Sequence, residues 1–127
     1  MKTLQVAALV ALVLALATGT TSPLTITDKN AGQTMMIAVG QTLAVRLPAN
    51  PTTGYQWSAG ILGKGPLVES RPANYQRPTS GLLGAGGTEV FSYRAVAAGT
   101  ANLSFNYARS FEHTAPAKHV AIVVVVR

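Results

Sequence analysis

Few residues of the 127-residue sequence could perform catalytic chemistry, since it contains two histidines, four carboxylate residues and no cysteine. Ser110, Glu112 and His113 could be written as a hydrolase triad, but residues this close in sequence rarely reach that geometry, and no oxyanion-hole motif accompanies them. Glu112 and His113 with His119 form at most a loose trio of metal ligands, for which solvated loop residues are the simpler interpretation. The sequence therefore predicts no enzyme, no metal site and no cofactor.

The most distinctive stretch is the uncharged run NPTTGYQW at residues 50–57. Pro51 fixes its own φ and favours an extended conformation in the residue before it, while Gly54 can take the positive φ that a sharp reversal needs. Tyr55 and Trp57 stand two apart, so on a strand both side chains reach one face and can anchor the turn in the core. An ordinary strand connection is the alternative for any part of this run, but the whole run predicts a presented binding loop.

Three motifs together resemble the chagasin-like inhibitors of cysteine peptidases. The first binding loop of that family carries NPTTGY followed shortly by Trp, as at residues 50–57. In the same order, GAGGT at 84–88 resembles the glycine-rich second loop, and RSFE at 109–112 resembles the third loop, usually written Arg-Pro-aromatic. Ser110 replaces the usual proline, which bears on the stiffness of the third loop. The resemblance covers roughly residues 24–127.

This resemblance implies an all-β, immunoglobulin-like sandwich that carries three inhibitory loops at one end. The loops would lie side by side as a wedge for the cleft of a papain-like cysteine peptidase, with tight, reversible and non-covalent inhibition by a monomer. The peptidase-binding residues implied are Asn50, Pro51, Thr52, Thr53, Gly54, Tyr55, Gly84, Ala85, Gly86, Gly87, Thr88, Arg109, Ser110 and Phe111. Phe111 is expected to be exposed, because it follows two polar residues beyond the end of a strand. The alternative is a secreted immunoglobulin-like adhesion or structural module without a peptidase target.

The N-terminal segment reads as a secretory signal peptide over residues 1–17. Lys2 supplies the charged start, an almost unbroken apolar run covers 4–17, and Ala-Leu-Ala at 15–17 has the A-x-A form of a cleavage site. An uncleaved anchor is the alternative, but about 20 apolar residues are normally needed to span a bilayer. We therefore expect an inhibitor domain over 18–127 that is exported to the periplasm or outside the cell. Because the sequence contains no cysteine, no intrachain disulfide can form in this domain.

The charge pattern indicates no specific polyanion partner. The formal net charge is +6, and removal of Lys2 with the signal would leave +5. The basic residues are scattered singly, with no basic run and no nucleic-acid motif. A solvated basic surface is the preferred interpretation, so we expect neither nucleic-acid binding nor membrane association after cleavage.

Residues outside the first 17 read as short strands separated by turn residues, which indicates a single β-sandwich. The predicted strands cover 34–39, 41–47, 55–59, 88–96, 100–107 and 118–127. Ala98 and Gly99 are interpreted as a tight hairpin turn. The segment 60–87, rich in glycine and proline, is predicted to be mostly a long loop with one or two short strands around 67–69.

Overall fold

The computed structural model describes residues 22–61, 65–79, 85–109, 111–112 and 115–127. In these residues eight strands form two four-stranded sheets. The elements in chain order are β1 (Leu24–Thr27), the 3₁₀ helix Asp28–Asn30, β2 (Thr34–Ile37), β3 (Thr42–Ala49), the 3₁₀ helix Pro51–Thr53, β4 (Tyr55–Ile61), β5 (Leu67–Gln76), β6 (Gly87–Ala95), β7 (Gly99–Arg109) and β8 (Lys118–Val126). Sheet A has the order β1-β3-β6-β5 and sheet B the order β2-β8-β7-β4, which confirms the predicted β-sandwich.

The core lies between the two sheets and is built from alternate residues of each strand. The buried residues of β3, β6 and β7 include every second residue over part of each strand: Leu43, Val45, Leu47, Phe91, Tyr93, Ala95, Leu103, Phe105 and Tyr107. The rings of Phe91 in sheet A and Phe105 in sheet B meet with centroids 5.0 Å apart. Such tilted aromatic contacts add to the burial of apolar area that holds the sheets together. Within the described residues no helix is long and apolar enough to cross a membrane.

Two expectations about connectivity are corrected by the sheet order. Ala98 and Gly99 do not form a hairpin turn, because β6 belongs to sheet A and β7 to sheet B, so this short connection passes between the sheets. Strand β1 was not predicted, since its four residues are too few to show alternation, and it is held by parallel pairing with β3. Chain proximity of two strands does not reveal whether they pair.

The middle of the chain is more regular than its composition suggests. Instead of one or two short strands in a long loop, it contains a ten-residue edge strand, β5, paired with β6. Two register shifts interrupt that pairing, one between Glu69 and Arg71 and the other between Arg71 and Asn74. Such irregularities obscure the period of two on which strand prediction depends, and Pro72 is tolerated because β5 is at a sheet edge.

Candidate functional site

The sheet register brings three loops to one end of the sandwich. Ala49, the last residue of β3, pairs with Gly87, the first of β6, and Tyr55, the first of β4, pairs with Arg109, the last of β7. The first loop, residues 50–54, therefore crosses from sheet A to sheet B. The second loop, which leads into β6, lies beside it on sheet A. The third loop, which follows β7, lies beside it on sheet B.

The first loop is a single 3₁₀ turn held by its own polar groups. The side-chain oxygen of Asn50 accepts from the backbone N–H of Thr52 at 3.3 Å and from its hydroxyl at 2.6 Å. The Asn50 carbonyl accepts from the N–H of Thr53 at 3.1 Å and from its hydroxyl at 2.7 Å. The N–H of Gly54 donates to the Pro51 carbonyl at 3.0 Å. Asn50 thus acts as the N-cap that satisfies the first donors of the turn.

The backbone of this loop confirms the conformations predicted for its ends. Asn50, before the proline, is extended with φ −138° and ψ 92°, and Gly54 is left-handed with φ 82° and ψ −5°. A side chain at Gly54 would be strained by this positive φ, and its Cβ would lie 3.5 Å from Cε1 of Phe111. Glycine here lets the first loop reverse sharply while the third loop packs against it.

An aromatic stack anchors the first loop to the sandwich. The Tyr107 ring contacts those of Tyr55 and Trp57, with centroids 5.2 Å and 4.8 Å away, respectively. The Tyr107 hydroxyl accepts from the N–H of Asn50 at 3.1 Å, and Trp57 Nε1 donates to the Pro48 carbonyl at 2.9 Å. Trp57 is buried and Tyr55 half-buried, so both belong to the support of the loop, as the sequence indicated.

Two glycines at the second loop, Gly86 and Gly87, lie where neighbouring atoms leave little space for a side chain. A Cβ on Gly86 would lie 3.3 Å from the carbonyl oxygen of Ala49. One on Gly87 would overlap the Gln76 carbonyl oxygen and lie 2.6 Å from the Tyr75 hydroxyl. Neither glycine has a positive φ. The close approach of β5 therefore excludes a larger residue at Gly87, whereas at Gly86 a Cβ would require the Ala49 carbonyl to shift slightly.

Arg109 joins the third loop to the first. Its Nε donates to the Thr53 carbonyl at 3.1 Å, and its Nη1 lies 2.9 Å from Oε1 of Glu112. The guanidinium carbon lies 4.4 Å from the centroid of the Tyr55 ring and 5.9 Å from that of Phe111. The hydrogen bond to Glu112 raises the pKa of Arg109, which therefore stays charged. The Phe111 side chain is 69% exposed, as predicted.

Comparison with known proteins identifies this arrangement. The model of the chagasin family of peptidase inhibitors, I42, matches residues 36–126. The chain is 40% identical over 90 residues to Chagasin from Trypanosoma cruzi. This match covers 66% of this chain and 79% of that protein. This chain belongs to the chagasin family. As a member of this family of inhibitors, it is not an enzyme.

Solved structures agree with the fold of the chagasin family. The cysteine protease inhibitor EhICP2 from Entamoeba histolytica is 22% identical with a TM-score of 0.73, over 83% of this chain and 96% of that one. PbICP-C, solved in complex with falcipain-2, is 22% identical with a TM-score of 0.57, over 84% and 91% of the two chains. At these identities, the likeness supports the shared sandwich fold.

Within this family framework, most of the predicted site residues lie together. Gly84 and Ser110 fall outside the described residues. Ala85 and Gly86 precede β6, whereas Thr88 lies within that strand and pairs with both β3 and β5. Tyr107, which supports the first loop, was not among the predicted site residues. The available signal was its position two residues before Arg109, on the apolar face of a predicted strand.

The polar residues first considered for catalysis do not form a site in the described structure. Ser110 and His113 lie outside the described residues. Glu112 is engaged with Arg109, and Nδ1 of His119 lies 2.5 Å from Oδ1 of Asn106 in the neighbouring strand. Among the residues described, no group of three or more His, Cys, Asp or Glu side chains could hold a metal ion.

Proposed function

We propose that this chagasin-family protein inhibits papain-like cysteine peptidases by inserting its three loops into the active-site cleft. The observation that carries the proposal is the first loop, an exposed and uncharged turn whose shape is fixed by its own hydrogen bonds between two flanking loops. A loop already ordered in the free protein loses less conformational entropy on binding. The complex of PbICP-C with falcipain-2 and the relation to Chagasin support a peptidase as the partner.

The chemistry of the first loop suits a cleft that contains a thiolate and an imidazolium. Pro51, Thr52 and Thr53 are exposed and present neutral hydroxyl and backbone groups. They bring no unpaired charge into the buried centre of the complex, where such a charge would be costly. The nearby charge of Arg109 is already balanced by Glu112. The loop would occlude the catalytic cysteine by contact alone, without a covalent bond.

Phe111 supplies an aromatic side chain at the edge of the proposed binding surface. It is 69% exposed, whereas the aromatic rings beneath the first loop are buried or half-buried. Exposed aromatic residues are common anchors at protein interfaces, where they fill pockets of the partner. We propose that Phe111 packs against the wall of the peptidase cleft.

Inhibition of papain, measured with a fluorogenic substrate, tests the proposal. We expect reversible, competitive inhibition with no covalent adduct by mass spectrometry, and no effect on trypsin. Phe111→Ala should weaken inhibition by about 30-fold, corresponding to about 2 kcal/mol for an interface anchor. Met36→Ala is the matched control, because Met36 is 51% exposed near the opposite end of the sandwich. Full papain activity in the presence of excess folded protein would refute the proposal.

We further propose that residues 1–17 direct export and that the domain 18–127 acts as a monomer in the periplasm or outside the cell. The apolar run and the A-x-A site support export. Contacts within the domain are enough to join the first and third loops to each other and to the sandwich, so the proposed site needs no partner subunit. Mass spectrometry of the exported product should give a first residue of Thr18, and light scattering should give a monomer mass. An exported product that retains Met1 would contradict cleavage.

A further inference from the structure

The outer face of sheet A gathers arginines that are far apart in the sequence. On β3 and β6, Arg46 and Arg94 alternate with core residues and therefore point away from the core. On β5, Arg71 pairs with Ser92, which also stands between core residues of β6. Because neighbouring strands are about 4.8 Å apart and side chains alternate between faces, these three share one side of a single sheet. Arg71 and Arg94 are both exposed. Arg71 pairs with Ser92, the residue two positions before Arg94 on the neighbouring strand.

Two more cations extend this face toward the second loop. Lys29 and Arg46 line one shallow depression, and Arg46 and Arg77 line the next. Nη2 of Arg46 donates to Oε1 of Gln76 at 2.8 Å, which holds that guanidinium over the outer surface of β5. We call the surface formed by Lys29, Arg46, Arg71, Arg77 and Arg94 the basic face. It holds five of the ten basic residues of the sequence.

The five cations of the basic face outnumber the two carboxylates beside them, Asp28 and Glu69. In the part of the chain that the structure describes, the ion pair present joins Arg109 to Glu112, at the loop end. Asp28 is adjacent to Lys29 and offsets part of its charge. Glu69 pairs with Tyr93, but it is exposed and lines one depression together with Arg71, so it offsets part of the Arg71 charge. The basic face therefore attracts anions, in a salt-dependent way.

The groups between the cations indicate which kind of anion fits. They are mainly hydroxyls and amides: Thr25, Thr27, Thr42, Thr88, Ser92 and Asn74. Among the described residues of this face there is no aromatic side chain, and Val68 is its exposed large apolar residue. Single-stranded nucleic acid binds through aromatic stacking and interfacial membrane contact through apolar side chains, so both are disfavoured.

We propose that the basic face binds a linear polysaccharide that carries carboxylate groups. Guanidinium groups form paired hydrogen bonds with planar carboxylates, and the intervening hydroxyls and amides can bond to sugar hydroxyls. The basic face runs along the side of the sandwich and reaches the second loop at Arg77, whereas Arg71 and Arg94 lie away from the loop end. A polysaccharide bound at Arg71 and Arg94 would therefore retain the protein in an acidic matrix and leave the first and third loops free.

Binding to polygalacturonate, measured by titration calorimetry on the full domain, tests this proposal. Arg71→Gln/Arg94→Gln removes two charges from the basic face, and Lys118→Gln/Arg127→Gln removes two from elsewhere. The attraction between two opposite unit charges in contact in water corresponds to about a five-fold change in Kd. Because the first double variant loses two such contacts, we expect it to bind roughly 25-fold more weakly at low salt. The second pair should weaken binding by less than about three-fold, because Lys118 lies on β8 and Arg127 follows it, in sheet B and outside the basic face.

Inhibition of papain separates this proposal from the proposed function. Arg71→Gln/Arg94→Gln should inhibit papain like the unmodified protein, since neither residue is near the three loops. No binding of the unmodified protein to polygalacturonate at low salt would overturn the proposal, as would equal losses for the two double variants. Tighter binding to dextran sulfate, which carries sulfate but no carboxylate groups, to vesicles of anionic lipid or to single-stranded DNA would equally reject the carboxylated polysaccharide as the ligand.

Discussion

The first and third loops reach fixed shapes by different routes. In the first loop, the capping side chain of Asn50 and the groups that donate to it lie within residues 50–54, so the turn is bonded to itself. The third loop is joined to its surroundings by Arg109, which reaches Thr53 across 56 positions of sequence. The first loop can therefore keep its shape without the third, whereas the third combines contacts of its own, between Arg109 and Glu112, with contacts to the first.

The first loop is held by neutral hydrogen bonds, whereas the contacts of the third loop involve the charge of Arg109. Each hydrogen bond of the first loop contributes about 0.5–1.5 kcal/mol net, and an N-cap side chain about 1 kcal/mol. In the third loop, an exposed cation–π contact contributes about 0.5–1 kcal/mol and an exposed ion pair about 0.2–1 kcal/mol. Salt should weaken the ion pair but should leave the neutral bonds of the first loop nearly unchanged.

Gly54→Val should have the largest effect, because it disturbs both loops at once. Valine is disfavoured at φ 82°, and its side chain would press on Phe111. Strain of about 2 kcal/mol would shift the first loop to other conformations and reduce the fraction competent to bind. We expect about a 30-fold increase in the inhibition constant for papain.

Thr53→Ser is the matched control for the glycine substitution, since it keeps the hydroxyl that donates to Asn50. Its inhibition constant should stay within about two-fold of the unmodified protein. Circular dichroism should show that both variants are folded. Equal inhibition constants for the two would mean that the positive φ of Gly54 does not matter for binding.

The two loops also differ in how far sequence reasoning could reach. Proline, glycine and an N-cap asparagine follow local rules, so the turn at Asn50 to Gly54 could be predicted from eight consecutive residues. The role of Arg109 as a link could not, because it depends on the register that pairs Tyr55 with Arg109. For the same reason, arginines that look scattered in the sequence form one basic face once the strands of sheet A are ordered.

Arg109→Ala should have the next largest effect, because it breaks the link between the loops. It removes the bond to Thr53, the contact with the Tyr55 ring and the partner of Glu112. The inhibition constant should rise about ten-fold, for a combined loss of about 1.4 kcal/mol. Arg109→Lys should recover less than half of that loss in free energy, because lysine lacks the planar fork. Full recovery with lysine would show that charge alone matters at this position.

Asn50→Ala tests the first loop alone. It removes the side-chain oxygen that accepts from the N–H and the hydroxyl of Thr52. We expect a loss of about 1 kcal/mol in the free energy of unfolding, measured in urea, and about a five-fold increase in the inhibition constant. Asn50→Ser keeps a capping oxygen and should lose less than half as much stability. Equal losses for alanine and serine would contradict the capping role.

Glu112→Gln should have the smallest effect and tests the third loop by its salt dependence. Glutamine keeps a side-chain oxygen within reach of Arg109 but removes the charge from a pair whose side chains are 34% and 36% exposed. An exposed pair contributes about 0.2–1 kcal/mol, so the inhibition constant should rise about two- to three-fold at low salt. At about 1 M salt, where the Debye length is about 3 Å, the difference should vanish. The effect of Asn50→Ala should persist there, because its hydrogen bonds are neutral. If salt abolished both effects, or neither, the two loops would not differ in the way their contacts indicate.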